Sequence, residues 1–130
     1  MVSSTSRTSI VESYFGFLTA SDIPAIVDLF AVDGFVVSPV LGTVPAGEFF
    51  ETLNDASEQN VLTVHQIMSS ADDRFHSAYF TYEWTLRAGG HVSFDGVDMF
   101  EFNDDDKVAS MKIFYDTHPT RETVGNKYEP

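Results

Sequence analysis

Cysteine is absent from the chain. That excludes disulfides, thiolate metal sites and cysteine nucleophiles, and it fits a reducing, cytoplasmic setting. Basic residues are scarce, 7 Lys and Arg against 20 acids, for a formal charge of −13. Nucleic acid and anionic membrane surfaces need a basic face, so neither is expected as a partner. No apolar run approaches the ~20 residues of a membrane span, and the opening MVSSTSRTS lacks the apolar core of a signal peptide. Those first eight or so residues read as a loose lead-in. Low-complexity tracts, internal repeats and Pro/Gly-rich linkers are missing too, which predicts one domain over residues 1–130.

Aromatic residues, by contrast, are plentiful. They make up 14 % of the chain, 12 of them Phe. Such density, spread over strands, suits the wall of a cavity for a small apolar ligand. The helical spacing lies in the first half. Ile10, Val11, Tyr14, Phe15, Phe17 and Leu18 mark a first helix. Ser21 reads as the N-cap of a second, with Ile23, Ile26, Val27 and Phe30 as its stripe and Gly34 as its end. Phe35 to Ser38 starts a strand, and Ala46 to Ala56 forms a third helix with Phe49, Phe50 and Leu53 inward. Afterwards the chain alternates. Val61 to Ser69, Phe75 to Arg87, His91 to Phe102 and Lys107 to Thr117 are predicted strands, separated by Asp72-Asp73, Gly89-Gly90 and Asn103 to Asp106. Short turns imply an antiparallel meander, hence an α+β fold with helices packed on a long curved sheet.

Asp98 stands out within this pattern. Its strand face carries Val92, Phe94, Gly96, Phe100 and Phe102, all apolar or without a side chain. A carboxylate buried there without a partner is costly, so a raised pKa and a neutral, donating acid are expected. The same parity argument assigns Phe80, Tyr82, Trp84, Phe94, Phe100, Met111 and Tyr115 to the pocket wall. His65 is the first candidate base, because imidazole titrates near neutrality. Its strand alternates without a clear core face, so the side it takes stays open. His76 reads as rim. Asp116 and His118 follow the last strand, and parity turns Asp116 outward unless a bulge intervenes. No spacing of His and carboxylates suggests a metal site, and no phosphate loop appears, so no cofactor is expected. Phe75, Tyr79, Val97 and Met99 would place a greasy patch on the opposite sheet face, which favours a homodimer.

The order of elements resembles the nuclear-transport-factor-2-like superfamily, in particular its branch of ketosteroid isomerases and SnoaL-like polyketide cyclases. The resemblance is carried by Ile10 to Tyr14, Ile26 to Ala31, Ser38-Pro39, Asp98 to Asn103, Lys107 to Met111 and Phe114-Tyr115-Asp116. It implies a cone-shaped fold, commonly homodimeric through the outer sheet face. It also places Tyr14 and Asp98 where the isomerases keep the two donors of an oxyanion hole. Ser38 falls where they keep the proton-moving aspartate, and a hydroxyl is no general base at neutral pH. The Arg and Asp of epoxide hydrolases with this fold would fall near Tyr82 and Trp84, which cannot do that chemistry. The expected activity is isomerisation, cyclisation or elimination on an apolar carbonyl compound, with Asp98, Tyr14, His65 and Asp116 as catalytic candidates and Ser38 at the ligand. The competing expectation is a non-catalytic ligand-binding or dimerisation module.

Overall fold

The computed structural model describes residues 4–39 and 41–115. The first helix, α1, spans Ser4–Thr19 and turns Val11, Tyr14, Phe15 and Leu18 inward, the i, i+3, i+4, i+7 face of a helix. It ends in two crossed bonds, Asp22 N–H to Phe17 O (2.9 Å) and Ser21 N–H to Leu18 O (3.1 Å). This is the Schellman arrangement, which requires a left-handed residue at its corner, and Ser21 takes that place with φ 57°. Ser21 is therefore the end of α1 and not the expected N-cap. Asp22 caps α2 (Ile23–Asp28), its Oδ1 accepting from Ala25 N–H at 3.3 Å.

A second correction follows at once. The second helix stops at Asp28, and Phe30, expected on its stripe, opens strand β1 (Phe30–Ser38). Gly34 lies inside that strand and not at a helix end. A Cβ there would sit 2.9 Å from Ala31 O and 3.0 Å from Val108 O, so only glycine lets the backbone approach β6 so closely. The pairing of β1 slips at this point, between Phe30 and Phe35.

Strand β2 (Gly42–Pro45) folds back on β1, and α3 covers Ala46–Ala56, as its spacing predicts. Then come β3 (Ser57–Ser69), β4 (Phe75–Leu86), β5 (His91–Phe102) and β6 (Val108–Tyr115). The six strands form one sheet in the order β2-β1-β6-β5-β4-β3. Only the β1–β6 pair is parallel. Helices and sheet meet over a core of Phe50, Phe100, Phe102, Ile26, Met111, Val11, Val36 and Val108. Each such large side chain contributes roughly 1.5–3 kcal/mol by leaving water.

Strand β3 begins four residues earlier than its apolar pattern suggests and carries two bulges, at Glu58 and at His65. Each bulge inserts one unpaired residue and reverses the alternation beyond it. Ser57 and Asn60 are buried; Leu62, Val64 and Ile67 pack against the core.

One end of the cone is held shut by Arg7. Its Nε bonds Asp106 Oδ1 at 2.8 Å, Nη1 bonds Asp73 O at 2.8 Å, and Nη2 bonds Asn103 O at 3.1 Å. The guanidinium also stacks over Phe102, 5.2 Å from the ring centroid. Thus α1 is tied to both hairpin turns at that end. Among the described residues, no helix is long and apolar enough to cross a membrane.

Candidate functional site

A cavity of about 390 Å³ opens at the other end, between α1, α3 and the inner sheet face. Its axis follows β5. Asp98 pairs with Ala78 and Ile113 in the depth, and Phe94 pairs with Tyr82 nearer the mouth. From Asp98 to Val92, which also lines the cavity, six residues span ~20 Å of strand. Aromatic rings form the outer half of the wall. Phe94 lies 5.3 Å from Tyr82 and 4.8 Å from Tyr115, and Tyr82 lies 5.9 Å from Trp84, centroid to centroid. Gly96, between Asp98 and Phe94, makes room for the Phe80 ring, which would stand 2.8 Å from a Cβ there.

Asp98 is 3 % exposed, and its Oδ1 has no hydrogen-bond partner among the described residues. Among the described residues no cation offsets it. Arg7 and Arg74 bind Asp106 and Glu101, Arg87 holds backbone carbonyls near α3, Lys107 binds Asp28 O, and Lys112 lies over Phe114. Burial therefore pushes the carboxyl up to about 8. At neutral pH it is a protonated donor facing an apolar space. Tyr14, also 3 % exposed, lines the same cavity from α1. Its ring packs edge-on against Phe15, Phe50 and Phe100. Burial raises its phenol pKa, and the Asp98 carboxylate and then Tyr82 add to the shift. No hydrogen bond joins Tyr14 to Asp98.

Of the residues singled out from the sequence, Tyr14, Ser38, Phe80, Tyr82, Trp84, Phe94, Asp98 and Tyr115 line this cavity. Phe100 and Met111, expected at the wall, do not. They lie behind it at 1 % and 0 % exposure, Phe100 filling the space under Tyr14. His65 is on the outer sheet face. The bulge at its position sends it outward, where its Nε2 lies 2.8 Å from Thr81 Oγ1. Thr81 in turn donates to Asp95 Oδ1 at 2.6 Å, so His65 cannot serve the cavity as a base. His76 is not rim but fully buried, packed on Phe102 with its Nε2 3.4 Å from Asp73 Oδ1. Asp116 and His118 lie outside the described residues. Ser38 Oγ accepts from Leu41 N–H at 3.2 Å at the mouth.

Asn60 and Ser57 were missed by the sequence reading. Asn60 takes the Tyr82 hydroxyl proton on Oδ1 at 2.5 Å and gives its own Nδ2 proton to Leu18 O at 3.3 Å. Ser57 accepts from the Trp84 indole at 2.8 Å and donates to Leu53 O at 2.6 Å. Both sit in the polar stretch Ser57 to Asn60, which shows no alternation because of the bulge. Among the described residues, no three His, Asp or Glu converge as metal donors.

The chain matches the SnoaL-like domain family over residues 11–111. Solved structures share the fold. SalBIII, an epoxide hydrolase/cyclase-like enzyme of pyran-ring formation in the polyether salinomycin, is 22 % identical, with 88 % of this chain and 94 % of that one covered at a TM-score of 0.76. AclR, a proposed hydroxylase from Streptomyces galilaeus, is 18 % identical, with coverage of 98 % and 86 % and a TM-score of 0.77. A protein of ketosteroid-isomerase-like fold from Catenulispora acidiphila, in complex with trimethylamine, is 15 % identical, with coverage of 89 % and 92 % and a TM-score of 0.74. No curated protein matches the chain.

Proposed function

Because the chain belongs to the SnoaL-like domain family, we propose that it is a small-molecule enzyme that activates the carbonyl oxygen of an apolar substrate through Asp98 and Tyr14. One observation carries this reading. A carboxyl group lies at the deep end of an apolar cavity with no cation and no hydrogen-bond partner among the described residues, so it is held as an acid. Two donors aimed at a developing oxyanion supply on the order of 3 kcal/mol each.

Cyclisation fits better than proton transfer between carbons. The latter needs a second group with a pKa near neutrality, and besides Asp98 the described lining offers only phenols, the Ser38 and Thr52 hydroxyls and the Trp84 indole. Ring closure of a hydroxy-enone can run on one carboxyl group. The Asp98 proton passes to the carbonyl oxygen while the substrate hydroxyl oxygen bonds to the β-carbon. The hydroxyl proton then restores the Asp98 carboxyl, and the enol formed is an isomer of the substrate. The likeness to SalBIII, a cyclase-like enzyme, supports this choice.

Incubation with 2′-hydroxychalcone tests it, since ring closure bleaches the enone chromophore. Acceleration by the protein, reduced ~10²–10³-fold in Asp98→Asn, is the expected result. Equal acceleration by Asp98→Asn would remove Asp98 from the chemistry. That the described wall carries no second base favours a second reading, a binding module without turnover. Saturable binding of the chalcone with no acceleration is the outcome that selects it.

A further inference from the structure

The polar groups around the cavity differ in what their hydrogens are already doing. The Trp84 indole proton goes to Ser57, and the Ser57 proton goes to Leu53 O. Neither is available to a ligand. Tyr82 has a single hydroxyl proton, and Asn60 Oδ1 holds it at 2.5 Å. The orientation of the Asn60 amide is fixed in turn. Its Nδ2 donates to Leu18 O, a carbonyl that also accepts from Ser21 N–H at 3.1 Å. A flipped amide would set the Asn60 Oδ1 against the Leu18 carbonyl and leave that amide oxygen without a donor in a site where Asn60 is only 4 % exposed. Tyr82 lines the cavity, and its oxygen thus keeps lone pairs but has no proton to give.

From this we infer that Asn60 is a positioning residue that sets the hydrogen-bond polarity of the cavity. It makes the Tyr82 oxygen an acceptor, so the preferred ligand carries a hydroxyl donor as well as an acceptor oxygen. The acceptor half of that pattern rests on the reading of Asp98 and Tyr14 given above; the donor half rests on Asn60 and Tyr82 alone. The substrate class is a hydroxy-ketone, or another apolar molecule with one hydroxyl and one carbonyl. In a cyclisation, the hydroxyl that Tyr82 orients is the one that attacks. Asp98 and Tyr82 both line the wall; burial raises the Tyr82 phenol pKa, the nearby Ser57 hydroxyl lowers it, and the Asp98 carboxylate adds to the rise.

The test uses 1-tetralone, its 5-, 6- and 7-hydroxy derivatives and the matching methoxy compounds. The chain has one tryptophan, and Trp84 lines the cavity, so its indole N–H resonance reports binding by NMR. At least one hydroxytetralone should bind about tenfold tighter than 1-tetralone, the yield of one net hydrogen bond. The matching methoxy compound, which cannot donate, should show no such gain. Tyr82→Phe, which removes one oxygen and keeps the ring, should abolish the hydroxyl preference and leave 1-tetralone affinity within about twofold. Asn60→Leu frees the phenol proton and should shift preference toward the methoxy compound. Asn60→Asp still accepts that proton and should keep the hydroxyl preference, which a merely structural role for Asn60 does not require. If 1-tetralone binds and weakens in Asp98→Asn while no hydroxyl improves affinity, this inference falls and the Asp98 reading stands. If Asp98→Asn leaves every affinity unchanged while the hydroxyl preference persists, the Asp98 reading falls and this one stands. Binding of none of the ketones at millimolar concentration overturns both.

Discussion

Asp95 and Asp98 stand three residues apart on β5, yet their surroundings share almost nothing. Asp95 is exposed on the outer sheet face, accepts the Thr81 hydroxyl proton at 2.6 Å, and ends a short chain that begins at His65. Asp98 is buried on the inner face, without a cation or a hydrogen-bond partner among the described residues. The same side chain is a solvated acceptor on one face and an uncharged acid on the other. Chemistry here comes from the face of the sheet and not from the residue type. It is the outer face, moreover, that holds the more familiar array of His, hydroxyl and carboxylate. Proximity of reactive groups is therefore a poorer guide to the site than burial without a partner.

The contrast can be tested first through stability. The folded pKa of Asp98 lies near 8, above the ~3.9 of an unfolded aspartate. The group is protonated in both states below pH 4 and contributes no penalty there. As pH rises toward 8 the unfolded chain ionises while the folded chain does not, so stability is lost through that window. Asp98→Asn, neutral throughout, should match the parent near pH 4 and exceed it at pH 8 by up to about 5 kcal/mol. Paired thermal melts at the two pH values measure the gap. A constant gap would mean that Asp98 ionises normally inside the fold.

A second variant adds a partner to the inner face. Ser38→Asp places a carboxylate at the cavity wall, where a general base contributes ~10²–10⁴ in rate. We expect the parent to be nearly inactive on a β,γ-unsaturated ketosteroid and the variant to gain at least ~10²-fold in isomerisation, followed by enone absorbance. Strong activity in the parent would point to another base in the protein.

The outer face has its own expected partner. Phe75, Tyr79 and Phe114 are each more than a third exposed, and Tyr79, Val97 and Phe114 form one cross-strand row. We predict a homodimer through this surface, with twice the chain mass by light scattering. Phe114→Glu should yield monomers and leave the cavity reactions within about twofold. A parent that scatters as a monomer at micromolar concentration contradicts the prediction. The smallest effect belongs to Asp95→Asn, an exposed change that should shift Tm by less than about 2 °C. A large loss would show the outer chain to be more than a solvated decoration.

How far the sequence reveals this fold depends on regularity. β5 alternates without interruption, and its bounds and the isolation of Asp98 on its inner face could be read directly. The same holds for α3, whose Phe49, Phe50 and Leu53 follow helical spacing. Legibility fails at β3. The bulges at Glu58 and His65 each break the period of two, so neither face of that strand looks like the core. His65 was ambiguous for that reason, and Asn60, in the polar stretch before the apolar run, was passed over. Ser21 misled in another way. A serine before an apolar stripe is a good N-cap by composition, but the crossed bonds closing α1 claim it as a left-handed corner. Phe30 had the right spacing for a helix and was taken instead by pairing with Val108 across the sheet. At Ser21 one local motif outweighed another; at Phe30 a long-range strand pairing outweighed a local preference, and such a pairing leaves no mark in a short window of sequence.

Arg7 has a consequence for traffic. By tying α1 to both turns at one end of the cone, it closes that end among the described residues and leaves the cavity open at the other. A ligand enters and leaves by the same door, past the rings of Trp84, Phe94 and Tyr115. In about 390 Å³ an elongated molecule has no room to turn around, so its leading end is chosen at entry. The protein therefore selects substrates by the order in which their parts arrive, and a product that has curled into a ring must back out tail first.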